Sequence, residues 1–159
     1  DYQEAGRSTG FIIPESLARV GAHGTLINHS EHKLKFSAIK KIIERCYSAG
    51  LNVVVCTSTL KDVQKIIKLK PYAIAFEDHR LISTGKSITK EDSTLVSSFA
   101  KLLENTNIIP LCGAGISSAD DVAKALILGC RGVLVSSAIA HPSTPQGAEK
   151  FLKEISELG

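Results

Sequence analysis

Short apolar runs rich in β-branched residues alternate along the chain with longer stretches in which apolar positions recur every three to four residues. The run 24–28 (GTLIN) precedes 35–50, where Ile39, Ile42, Ile43 and Cys46 share one helical face and Gly50 closes the segment. The run 52–56 (NVVVC) precedes 58–69, in which Leu60, Val63, Ile66 and Ile67 make a second such face. The run 72–76 (YAIAF) leads through a polar loop to 89–105, where Thr89 and Asp92 have the spacing of a capping box. The run 107–112 (NIIPLC) leads through GAGI to 117–129, with a second box from Ser118 to Asp121. The run 131–136 (RGVLVS) ends in small residues before a last helix over 145–158, which carries proline in its first turn. The pattern is strand, loop, helix, five times over, behind a further helix predicted within 11–24. Continuous apolar runs are those of parallel strands buried on both faces. The prediction is an α/β fold, either an open doubly wound sheet or a closed (β/α)8 barrel. Both collect their chemistry at the C-terminal ends of the strands.

Composition narrows this picture. The chain has 159 residues, 43% of them hydrophobic, which suits a single domain over 1–159 with one core. The net charge of +3 comes from lysines interspersed with acids, and no basic cluster is joined to stacking aromatics. Nucleic acid is therefore not an expected partner, whereas an anionic small molecule is compatible. No apolar run reaches the length of a membrane span and no signal-peptide layout opens the chain, so a cytoplasmic protein away from membranes is expected. Cys46, Cys56, Cys112 and Cys130 form no C-x-x-C pair and have no histidine at metal-ligand spacing. They read as reduced, buried small hydrophobes, with no metal and no cofactor implied.

The strand ends carry the chemistry. The first run ends in NHSE (28–31), the second in CTST, the third in Glu77, the fourth in GAGISS and the fifth in SSA (136–138). A histidine, a carboxylate and two small-residue turns on one rim supply an electrophile, a base and an anion cradle. GAGISS at a helix mouth presents bare backbone N–H groups to an anion. A further small-residue turn one unit later matches the recurrent phosphate site of (β/α)8 barrels. His29 and Glu77 become informative together, because proton abstraction beside a carbonyl needs a carboxylate base and a neutral donor to the oxygen. His23, His32, His79 and His141 lack such placement and read as solvated.

At these residues the chain resembles the triosephosphate isomerase family, particularly its shorter archaeal branch. GTLINHSEHKL is similar to the family's histidine strand, YAIAFEDHRLISTG to its glutamate strand and lid loop, and LCGAGISSADDVAKALILGCRGVLVSSAIA to its phosphate region. EAGRSTGFIIPESLARVGAHG is similar to the loop that projects into a partner subunit and the helix after it. The resemblance implies His29 as electrophile and Glu77 as base, without cofactor or metal. It implies substrate contacts from Ile82, Gly115, Ser136 and Ser137. Glu31 matches a supporting acid, Asn28 and Gly85 are further supporting residues, the latter on the side of the lid that approaches phosphate, and Thr9 matches a residue donated across a dimer interface. The implied reaction interconverts dihydroxyacetone phosphate and glyceraldehyde 3-phosphate, in a homodimer or homotetramer.

Three departures qualify the resemblance. The family begins with about two and a half further βα units whose first strand carries a substrate-binding Asn-x-Lys, and no segment of this chain corresponds to them. The family's Glu-Pro-Pro-Glu is here Glu77-Asp78-His79-Arg80, and the glycine before Thr84 is Ser83. Without prolines to pre-set it, the hinge is expected to be looser. Ala138 replaces a glycine after the phosphate-binding serines, narrowing the approach to the anion. The fold expectation is therefore the last five to six βα units of a TIM barrel, the C-terminal two thirds of a longer chain or one paired with its remainder. On its own such a piece is expected to be unstable, self-associating or inactive. Two alternatives follow: another phosphate-binding barrel enzyme, and a non-catalytic phosphate-binding module acting in assembly.

Overall fold

The computed structural model describes residues 1–7, 9–78 and 87–158. Five parallel strands make one sheet: β1 (Gly24–Ile27), β2 (Asn52–Thr57), β3 (Ala73–Phe76), β4 (Ile109–Cys112) and β5 (Gly132–Val133). Each strand pairs only with its neighbour in sequence, in the order β1-β2-β3-β4-β5. A doubly wound sheet needs a point where the strand order reverses, and among the described residues there is none. Unbroken order with right-handed crossovers lays every connecting helix on one face, as in a barrel wall. The choice left open by the apolar pattern is thereby made.

The helices are α1 (Pro14–Arg19), α2 (Phe36–Ser48), α3 (Leu60–Ile67), α4 (Ile88–Glu91), α5 (Ser93–Leu103), α6 (Ala119–Ile127), α7 (Ser137–Ala140) and α8 (Pro145–Ser156). Their apolar stripes and alternate strand residues make one core. Ile39, Ile42 and Ile43 of α2, Val63 of α3, Phe99 of α5 and Val122 of α6 meet Val53, Val55, Ile74 and Phe76 of the sheet. The rings of Phe76 and Phe99 stack with centroids 5.1 Å apart, which anchors the end of β3. Strand residues of the opposite pleat, among them Leu26, Val54, Ala75 and Leu111, face the other side of the sheet. There Leu26 on the edge strand β1 is 43% exposed.

Two local expectations change. The stretch 89–105 is not one helix: Asp92, at φ −148° and ψ 69°, ends α4 and begins α5. Its side chain accepts from Leu95 N–H, while Ser87 caps α4, so Thr89 and Asp92 make no capping box. The Ser118–Asp121 box forms in full. The run 131–136 yields only the two-residue β5, an edge strand from which the chain turns into the short helix α7.

Candidate active site

The third strand delivers Glu77 to the rim under tight constraint. Phe76 before it is fully buried, Glu77 N–H donates to Thr57 O at 2.9 Å, and Gly113 N–H donates to Phe76 O at 2.9 Å. The tips of β2, β3 and β4 are thus laced together around Glu77. Gly113 also sets the position of the carboxylate: a Cβ there would lie 2.6 Å from Glu77 Oε1 and 2.7 Å from its Cγ. Only glycine leaves room for Glu77 in this pose. The side chain is 10% exposed.

His29 is placed from β1 by Asn28. Asn28 adopts φ 60°, a turn that asparagine tolerates better than most residues. Its Nδ2 donates to Cys56 O at 2.8 Å, and its Oδ1 accepts from Leu34 N–H at 2.9 Å. This one side chain ties the end of β2 to the loop carrying His29. The Nδ1 of His29 accepts from Glu31 N–H at 3.3 Å. In a neutral imidazole with Nδ1 as acceptor, the proton resides on Nε2. That Nε2 lies 3.7 Å from Glu77 Oε2, just beyond a direct hydrogen bond. Glu31 contributes chiefly through its backbone, since its carboxylate is 87% exposed and 3.5 Å from Nδ1.

A cavity of about 330 Å³ joins these groups to the two small-residue turns; it is lined by Leu26, His29, Glu31, Glu77, residues 114–117 and residues 134–137. Of the residues singled out in the sequence, His29, Glu31, Glu77, Gly115, Ser136 and Ser137 converge here. Asn28 stands behind them as a brace. Thr9 is exposed and does not line the cavity. Ile82 and Gly85 lie outside the described residues. Ala138 lines a neighbouring cavity beyond Ser137 rather than this one.

The turn after β4 differs from the bare helix mouth read in the sequence. Asp121 Oδ2 accepts from Ser117 N–H at 3.2 Å and from Ser118 N–H at 3.1 Å, and Asp120 adds a second carboxylate to the first turn of α6. The positive end of α6 is met by its own acids. Ala114, Gly115 and Ile116 are left with N–H groups that have no acceptor among the described residues. Ser136 begins α7 without capping it, so its hydroxyl is available at the cavity. What this cavity offers an anion is therefore the Gly115 turn and the serine pair rather than the α6 terminus.

Gly113 was not singled out in the sequence, and Asp121 was read there only as a helix cap. The first glycine of the CGAGI run was the available sign of a close backbone approach, and the paired acids Asp120 and Asp121 in the first turn of α6 were the sign of an occupied helix end. Among the described residues no three His, Cys, Asp or Glu side chains converge as a metal site. The four cysteines are free and buried. Burial first, then the Glu77 carboxylate, push the Cys56 thiol well above its usual range. Contact with Cys130, then burial, do the same for Cys112. A larger cavity, about 390 Å³, opens between α5 and α6 at the opposite ends of the strands, and it brings no comparable base and donor together.

Comparison with known proteins agrees with this geometry. Among solved structures, one titled "Native KDPGal structure" superposes with a TM-score of 0.67 at 14% identity, covering 93% of this chain and 65% of that one. A flavocytochrome b2 mutant with pyruvate bound gives 0.66 at 15% identity, covering 90% of this chain and 44% of that one. These establish the fold alone. Closer in sequence are the triosephosphate isomerases of Methanobacterium bryantii, 38% identical over 93% of this chain, and of Methanocaldococcus jannaschii, 38% identical over 98%. That of Cenarchaeum symbiosum is 35% identical over 93%. The chain spans 66%, 70% and 67% of these relatives' lengths. No described helix is long and apolar enough to cross a membrane. The family model for triosephosphate isomerase matches residues 1–156, and with the histidine, the glutamate and both small-residue turns falling in family order on consecutive strand ends, the chain belongs to the triosephosphate isomerase family.

Proposed function

We propose that the site interconverts dihydroxyacetone phosphate and glyceraldehyde 3-phosphate by proton transfer, with Glu77 as base and His29 as neutral electrophile. The observation that carries this reading is the placement of His29 Nε2 at 3.7 Å from Glu77 Oε2, on the wall of a cavity that also holds Gly115, Ser136 and Ser137. The Glu77 carboxylate removes a proton from the carbon beside the carbonyl. The electron pair moves toward the carbonyl oxygen, which His29 Nε2–H stabilises as the enediolate forms. A proton then moves between the two oxygens through the imidazole, and Glu77 returns its proton to the neighbouring carbon. This division of labour between a carboxylate and an uncharged imidazole is the established one for the family. Gly115 N–H and the serine hydroxyls hold the phosphate, so that the reacting carbons lie between base and donor. Four free, buried cysteines suit a reducing compartment, and we place the reaction in the cytoplasm, in a homo-oligomer.

A second reading is favoured by one observation. Leu26, beside His29 on the edge strand, is 43% exposed, as are other apolar residues near it such as Ile12 at 60%. A site with one open wall retains phosphate binding more readily than it excludes water during turnover. Glu77→Gln separates the readings: isomerisation that falls by about three orders of magnitude or more in the variant supports catalysis. Stabilisation of the fold by phosphate, with no turnover in either protein, supports a binding module.

A further inference from the structure

The turn that carries Gly115 is held in a conformation that its sequence disfavours. Ala114 has φ 76° and Gly115 φ 72°, two successive left-handed residues, and Ala114 is buried. Alanine adopts that region only at a cost that surrounding contacts must offset. Two contacts from α4 and α6 do so. Ile88 N–H, at the start of α4, donates to Ala114 O at 3.2 Å. Asp121, whose side chain is 1% exposed, receives Ser117 N–H, Ser118 N–H and the Ser118 hydroxyl on Oδ2. Its Oδ1 has a single partner among the described residues, the Lys90 ammonium of α4 at 2.8 Å.

We infer that Asp121, anchored by Lys90, is the positioning residue of the phosphate-binding turn: the clasp between α4 and α6 holds Ala114 and Gly115 left-handed. The inference rests on the reading of this cavity as a phosphate site. Neither Lys90 nor Asp121 touches the substrate; both act through the backbone of residues 114–118. Lys90 suits a clean test because its side chain is 55% exposed, so truncating it opens no cavity.

Titration calorimetry with inorganic phosphate on the intact chain tests it in four proteins: the native sequence, Lys90→Met, Ala114→Gly and the double variant. Lys90→Met is expected to weaken phosphate binding roughly fivefold, the scale of one partly exposed charge pair, with far-ultraviolet dichroism unchanged. Lys90→Arg is expected to restore it. Because glycine adopts positive φ without strain, the same Lys90→Met change in the Ala114→Gly background is expected to cost less than about twofold. Native phosphate binding that is untouched by Lys90→Met, or weakened equally in both backgrounds, overturns the clasp while leaving the phosphate site standing. Absence of any phosphate binding by the native chain overturns both.

Discussion

At Gly113 one absent methyl group decides where the Glu77 carboxylate can stand. Because a Cβ would come within 2.6 Å of Glu77 Oε1, Gly113→Ala must push the carboxylate away from its pose opposite His29. Misplacement of a catalytic group by about 1 Å costs on the order of a hundredfold in rate, and that is the expected fall in kcat for Gly113→Ala, with KM little changed. Steady-state kinetics check this, and an unaltered kcat would show that Glu77 has room to spare. His29 and Glu77 were legible in the sequence because both sit directly at the ends of apolar runs. Gly113 was not, since its importance comes from a side chain far away along the chain that meets it only after β3 and β4 pair. The cysteines were legible for the opposite reason: a small apolar residue on a predicted buried face needs no partner to be placed. Buried at 0–4% exposure and with the Cys56 and Cys112 thiols held well above their usual range, they are expected to resist an aromatic disulfide reagent in the native protein. All four are expected to react after unfolding, and rapid native labelling of Cys56 or Cys112 would contradict their burial.

Among the elements, the helix faces and strand runs could be read from period alone, whereas terminations could not. The Ser118–Asp121 box formed as its spacing indicated, yet the equally spaced Thr89 and Asp92 did not pair. The difference is tertiary: Ser87 and Thr89 are buried and bonded to each other at 2.8 Å, which commits Thr89 to α4 and leaves Asp92 to start α5. The Lys90–Asp121 contact likewise joins two helices that no local pattern links. It has a pH signature. Burial raises the Asp121 carboxyl, but Lys90, Ser118 and the Ser117 N–H together outweigh it, and the group lies below its ordinary 3.8. A carboxyl lowered in the folded state binds fewer protons there than when unfolded, so its stabilisation is complete above about pH 4 and is lost as pH falls through the lower folded value. Denaturant titrations between pH 5 and pH 2 are expected to show a shallower decline of stability in Asp121→Asn than in the native chain. Parallel declines would mean that the carboxylate is not held down by its partners.

On the scale of the molecule, five strands in unbroken order form one sheet whose edges among the described residues are β1 and β5. The edge strand β1 bears the exposed Leu26, and Phe11 and Ile12 nearby are 51% and 60% exposed. Unpaired strand edges flanked by apolar surface recruit further strands. Light scattering of the isolated chain is therefore expected to give an apparent mass that rises with concentration above 17.0 kDa, whereas a constant 17.0 kDa at all concentrations would show that the edges are inert. The α/β class with a parallel sheet, and the five strand runs, were legible from the alternation of runs. The absence of a reversal in strand order was not, because runs of equal character give no sign of which ones pair.

The claim that organises the site is that Glu77 moves a proton at the carbon next to the substrate carbonyl. The most direct measurement is deuterium uptake from heavy water into dihydroxyacetone phosphate, followed by proton magnetic resonance, because it registers each abstraction even where net turnover is slow. The account predicts a single deuterium at that carbon with the native chain and none above the uncatalysed background with Glu77→Gln. Uptake at the same rate in the variant, or none in a native chain that binds phosphate, would contradict it.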